Sequence, residues 1–132
     1  MRFYRTSSNK ETNELSYQVL GCAYNVHKEL GPGLLESVYK ACLCYELSGK
    51  NIHYERQKPL PVFYKGITLD CGYRIDILVE NKIIIELKTV EKILPIHTAQ
   101  IMTYLRLSQV HLGLLINFYN MNLQNGIRRY VL

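Results

Sequence analysis

The stretch from Tyr73 to Lys88 constrains this chain more than any other, because it places charges where β-strands disfavour them. It reads Tyr73-Arg74-Ile75-Asp76-Ile77-Leu78-Val79, a polar tip at Glu80-Asn81, then Lys82-Ile83-Ile84-Ile85-Glu86-Leu87-Lys88: two short β-rich runs in hairpin form. Side chains alternate between the faces of a strand, so Ile83, Ile85 and Leu87 share one face while Glu86 and Lys88 share the other. If the hairpin turns symmetrically about Asn81, Asp76 lies across from Glu86 with Cβ atoms roughly 5 Å apart. Like charges opposed that closely are destabilising unless a cation lies between them. For two carboxylates a hard divalent ion, Mg2+ or Mn2+, is the natural one. Lys88, on the same face, can orient or activate a water and offset charge on a phosphoryl oxygen. A two-residue turn would instead send Asp76 and Glu86 to opposite faces and dissolve the site. The symmetric register also sets Arg74 opposite Lys88, which requires a phosphate between them or an Arg74 that turns away.

Helical spacing frames this hairpin. From about Asn13 to Leu30, Leu15, Val19, Cys22, Val26 and Leu30 recur three or four apart, and Gly31-Pro32 stops the helix. A second helix is expected from about Leu34 to Leu47, with Leu35, Val38, Cys42 and Tyr45 inward and Ser48-Gly49 at its end; the two should form an antiparallel or angled pair. Ile52 to Gln57 and Val62 to Tyr64 read as strands, with Pro59 and Pro61 marking an interruption or an edge and Lys65-Gly66 a hairpin turn. A third helix begins near Pro95 and runs to about Leu107. Val110 to Phe118 is a continuous apolar run, the pattern of a strand buried on both faces, and Arg128 to Leu132 could supply a last edge strand.

With 132 residues, 48% hydrophobic and 20% charged, the chain suits one folded domain over residues 1–132 and departs from the composition of disorder. No internal repeat, low-complexity segment or linker interrupts it. A net charge of +5 and a pI near 9.0 favour polyanionic partners. Yet the basic residues are spread from Arg2 to Arg129 with no run longer than Arg128-Arg129, so charge alone fits a mixed solvated surface as well. Cys22, Cys42, Cys44 and Cys71 form no C-x-x-C pair and are expected as buried, reduced thiols. No charged-then-apolar leader opens the chain and Leu112 to Phe118 is too short to cross a bilayer, so a cytoplasmic location without a membrane partner is expected.

Taken alone, an Asp…Glu-x-Lys pattern describes many strands with a solvated face. Two further polar sets sharpen it: Glu36 opens the second helix, and Gln100 and Tyr104, at i and i+4, share a face of the third. Each has a plainer reading. Glu36 can complement the helix dipole, Gln100 can be a surface amide, and Tyr104 a core aromatic with its hydroxyl at the rim. His97 could touch phosphate or metal, or simply cap its helix or face solvent, and stays outside the candidate site. Glu55 and Arg56 fit a substrate groove or an exposed strand face; some of the 11 tyrosines could stack on bases, most should pack.

Gly33-Leu34-Leu35-Glu36-Ser37-Val38-Tyr39 resembles the signature of the GxxExxY proteins, a branch of the PD-(D/E)XK nuclease superfamily. The likeness covers nearly the whole chain and includes His27-Lys28-Glu29-Leu30-Gly31-Pro32-Gly33, Pro59-Leu60-Pro61-Val62, Tyr64-Lys65-Gly66 and Leu114-Leu115-Ile116-Asn117-Phe118. It implies an α/β (α+β) restriction-endonuclease-like core, a mixed central sheet flanked by helices with topology αβββαβ, and a metal-dependent phosphodiesterase centre. Asp76, Glu86 and Lys88 match the motif residues, and Asp76, Glu86 and the backbone carbonyl of Leu87 would ligate Mg2+ or Mn2+. Glu36 matches the acidic residue contributed by the preceding helix, as a further metal ligand or a water-positioning group. Gln100 and Tyr104 match the Q-x-x-x-Y element of the RecB-like exonuclease branch, which places substrate and the catalytic lysine. Ile75 stands where the superfamily's name has a proline.

The resulting expectation is a divalent-metal-dependent nuclease acting on nucleic acid, DNA before RNA. The alternative is a non-catalytic nucleic-acid- or partner-binding module that keeps the nuclease fold; a hydrolase of a small phosphorylated compound ranks third. A protein partner or a homo-oligomer is left open.

Overall fold

The computed structural model describes the backbone from Arg2 to Leu132 and the side chains from Lys10 onward. Two helices, α1 (Arg2–Leu30) and α2 (Glu36–Gly49), precede strand β1 (Tyr54–Pro59), a small hairpin of β2 (Val62–Tyr64) and β3 (Ile67–Leu69), and the central hairpin of β4 (Arg74–Val79) and β5 (Ile83–Lys88). Helix α3 (Pro95–Ser108) crosses over to β6 (Leu112–Asn117), and a short 3-10 turn at Leu123–Gly126 leads into β7 (Ile127–Val131). The main sheet has the order β1-β4-β5-β6-β7; β5 and β6 run parallel and every other pair is antiparallel. The αβββαβ core is therefore present as α2, β1, β4, β5, α3 and β6, with β2–β3 and β7 added to it.

The sheet is a central layer with helices on both sides. Under α1 and α2, Val19, Cys22, Val26, Tyr39, Leu43 and Leu47 pack on Ile77, Val79, Ile83, Ile85, Leu87 and Leu114. On the opposite face Ile101, Tyr104 and Leu105 of α3 pack on Ile75, Leu78, Ile84 and Leu115. Every residue of β6 is buried, as its apolar run predicts. Close approach of α3 depends on Gly113, where a Cβ would come within 3.0 Å of Ile101 Cδ1. Pro59 is the last residue of β1, an edge strand, where its missing N–H costs no ladder bond.

Helix α2 departs from its expected phase. It starts at Glu36, and Leu35, Val38 and Tyr45 are exposed while Cys42 is half-buried; the buried stripe is Tyr39, Lys40, Leu43, Cys44 and Leu47. A charged residue inside that stripe hid it from an apolar count. Tyr39 fixes the helix: its ring stacks on Phe118 at 4.5 Å, and its hydroxyl donates to the Gly31 carbonyl and accepts the Leu34 amide. Cys71 is exposed, against the expectation of four buried thiols, and all four cysteines are unpaired. Among the described residues no helix is long and apolar enough to cross a membrane.

Candidate functional site

The central hairpin turns as the site requires. Glu80 and Asn81 both take left-handed conformations, φ 52° and 55°, and the Lys82 amide closes the turn on the Val79 carbonyl at 2.8 Å. Val79 then pairs with Ile83, Leu78 with Ile84 and Ile77 with Ile85, the register symmetric about Asn81.

That ladder stops one rung short of the carboxylates, and Asp76 is the residue of β4 where the pairing fails. The register of β1 against β4 also omits it, stepping from Arg56–Ile77 to Lys58–Ile75. Gln57, the β1 residue in between, has φ 50°, a left-handed conformation rare inside a strand. The pleat breaks here too: Ile77 and Val79 face α1 and α2, whereas Ile75 packs with Leu78 in the α3 cluster. Uniform alternation would have put Ile75 with Ile77.

Side chains replace the missing main-chain bonds. The Asp76 amide donates to Glu86 Oε2 at 3.0 Å, and the Leu87 amide donates to Asp76 Oδ2 at 2.9 Å. Each carboxylate is tied to the opposite strand, and the two are thereby held together. The remaining Asp76 oxygen, Oδ1, meets the ammonium of Lys40 at 3.0 Å. Lys40 is 6% exposed and Glu86 4%, so this is a buried charge cluster. Burial and then the Asp76 charge push the Glu86 carboxyl up to about 8, against the opposing pull of the Asp76 amide, Lys88 and Lys40.

The other sequence-derived residues converge on the same place. Burial raises the Glu36 carboxyl, and Asp76 adds to the rise while Lys88 and Lys40 oppose it, so Glu36 feels all three of these charges. Gln100 Nε2 donates to the Tyr104 hydroxyl at 3.0 Å. Burial raises the Tyr104 phenol, the Gln100 bond lowers it, and the charges of Glu86 and Asp76 raise it further. Tyr73 meets the Tyr104 ring edge-on at 5.6 Å. Arg74 turns away from Lys88 to Asp70, its Nη1 donating to Asp70 Oδ1 at 3.2 Å and to the Tyr73 carbonyl. His97 Nδ1 accepts the Leu94 amide, capping α3. Among the described residues no three of His, Cys, Asp or Glu are grouped so as to hold an ion between them.

Two residues escaped the sequence reading. Lys40 lies one turn beyond Glu36 on α2, and its signal was a lysine inside the Tyr39-Leu43-Leu47 stripe. Asn117, 1% exposed, pairs with Lys88 across the parallel rung, and its amide holds both the N–H and the carbonyl of Val90, at 3.0 and 2.7 Å. It fixes the chain leaving Lys88. An amide in a wholly buried strand was its signal.

The residues fit a hard cation. The donors are carboxylate oxygens, and the pair already draws in one positive charge at Asp76 Oδ1. Neither the curated proteins nor the solved structures compared with the chain gave a match. Residues 13–130 match the family model of the PD-(D/E)XK nuclease superfamily, a span containing every residue of the site. On that match, and with a five-stranded mixed sheet between helices, the chain belongs to the PD-(D/E)XK nuclease superfamily.

Proposed function

We propose that the chain is a divalent-metal-dependent nuclease that hydrolyses phosphodiester bonds, with DNA as substrate before RNA. Within the superfamily we assign it to the GxxExxY group, with the Q-x-x-x-Y element of the RecB-like branch. The observation that carries this reading is the reciprocal tie between the part-buried Asp76 and the buried Glu86, two carboxylates held in one orientation beside Lys88.

Asp76 and Glu86, with the Leu87 carbonyl, would hold Mg2+ or Mn2+. When bound, such an ion offsets charge on the scissile phosphate and acidifies the attacking water. Lys88 orients that water and balances the phosphoryl oxygen. Glu36, whose carboxyl is raised by burial, supplies a second acceptor facing the same space. Tyr104, whose hydroxyl accepts from Gln100 at the edge of the α3 core, would help place the substrate and Lys88. The net charge of +5 supports a polyanionic substrate.

The test is cleavage of labelled single- and double-stranded DNA and RNA with Mg2+ or Mn2+. Asp76→Ala, Glu86→Ala and Lys88→Ala should each lower the rate at least about 100-fold with the circular dichroism spectrum retained. Rates like wild type in all three would overturn the assignment. The non-catalytic reading draws on Lys40, which partners Asp76 without any metal; it requires salt-sensitive DNA binding indifferent to chelator and to Glu86→Ala.

A further inference from the structure

We propose that Lys40 makes this a one-cation centre, its ammonium standing at Asp76 where a second divalent ion would otherwise be held. The inference rests on the metal centre proposed above and adds a residue to it.

Geometry carries the case. Glu36 and Lys40 lie four apart on α2 and share a face of that helix. The Lys40 ammonium meets Asp76 Oδ1 at 3.0 Å, and its charge is felt by both Glu36 and Glu86. A cation serving Asp76 from the α2 side therefore occupies the position of this ammonium. The side chain cannot readily leave it. Lys40 is 6% exposed, and the helix that carries it is pinned by the Tyr39 stack on Phe118 and the Tyr39 bond to the Gly31 carbonyl.

Chemistry agrees with the geometry. Asp76 Oδ2 is taken by the Leu87 amide and Oδ1 by Lys40, so the α2 side of the pair is already satisfied. Glu86 has one oxygen on the Asp76 amide, and the positive charge of Lys88 acts on the same carboxyl. A single divalent ion can then enter from the Lys88 side. A second would meet a fixed positive charge with the same ligands, and the repulsion between them in a buried site is strong. With Lys40 charged, Glu36 keeps its role near the water without becoming a ligand.

The experiment is Mn2+ titration of the full chain without nucleic acid, read by calorimetry and by the electron paramagnetic resonance signal of free Mn2+. Wild type should take up one Mn2+. Lys40→Gln keeps a donor toward Asp76 without the charge, and Lys40→Met keeps the volume; both should take up two. Lys40→Arg should remain at one, and Glu36→Gln combined with Lys40→Gln should return to one. If a neutral variant does not fold by circular dichroism, the other and the wild-type stoichiometry decide. Two ions in wild type, a second ion in Lys40→Arg, or one ion in the folded neutral variants overturns the role of Lys40 and leaves the metal centre standing. No Mn2+ in any of these proteins overturns the metal centre itself and this inference with it.

Discussion

The two ends of the β4–β5 hairpin are made of neighbouring residues and held by different forces. Toward the tip, Ile77, Leu78 and Val79 pair with Ile85, Ile84 and Ile83, all buried, in an unbroken main-chain ladder. One rung further, Asp76 is skipped by both flanking ladders and its surroundings are tied by carboxylate-to-amide bonds and a buried ion pair. Apolar burial is worth about 25 cal/mol per Å2 and does not depend on pH. A buried ionic cluster roughly breaks even against its desolvation and changes sign with protonation. The tip end therefore anchors the fold, and the other end spends stability on holding two carboxylates together.

The comparison breaks most readily at the tip. Ile85 is fully buried in the α1–α2 cluster, and Ile85→Ala should cost about 3–4 kcal/mol, lowering the urea midpoint with little change in slope. A loss under about 1 kcal/mol would mean that the tip does not anchor the fold.

Glu86→Gln should act in the opposite direction. The folded-state carboxyl is pushed up to about 8 from an ordinary 4.5, so between those values the folded protein binds more protons than the unfolded chain. Stability from this group is fully present below about pH 4.5 and is lost as pH rises through about 8. In the metal-free protein the glutamine variant should therefore melt near wild type at pH 5 and above it at pH 8.5. The gain should be on the order of 2–3 kcal/mol, roughly 5–10 °C. Equal melting temperatures at both pH values would show that Glu86 is not held in a charge-averse setting.

Asn117→Ala tests the support rather than the pair. Removing the amide strands the Val90 N–H and carbonyl, at a cost of about 1–2 kcal/mol. Because Asn117 stands beside Lys88 in register, cleavage should fall further than stability does, at a temperature where the variant is fully folded. A fall in stability with unchanged cleavage would confine Asn117 to structure.

These two ends were not equally legible. The tip register followed from counting about Asn81, and the double-faced burial of β6 followed from its apolar run. Helix α1 likewise shows Val19, Cys22 and Val26 inward at the expected spacing. What failed in α2 has one cause, a charge inside a buried surface. The stripe of α2 was read through Leu35, Val38 and Tyr45, all exposed, because Lys40 occupies the place an apolar residue would have marked. The ammonium that Lys40 sets at Asp76 was equally unmarked in the apolar pattern. The broken pleat was invisible for another reason: Ile75-Asp76-Ile77 alternates regularly, and the irregularity sits in Gln57, on a strand far off in sequence.

Gln57 gives the smallest effect and the most direct view of that break. A left-handed φ of 50° costs a side-chain-bearing residue about 1 kcal/mol or more, and glycine escapes the cost while adding entropy to the unfolded chain. Gln57→Gly should thus gain about 0.5 kcal/mol, whereas Gln57→Val, β-branched and suited to a regular strand, should lose about 1–2 kcal/mol. An ordinary edge-strand position would give the reverse order, valine above glycine. If glycine is the more stable, the β1 residue facing Asp76 is held out of the ladder, and the carboxylate owes its freedom to reach Lys40 to a neighbour that declines to pair with it. If valine is the more stable, β1 pairs through this point and Asp76 has no break to turn through.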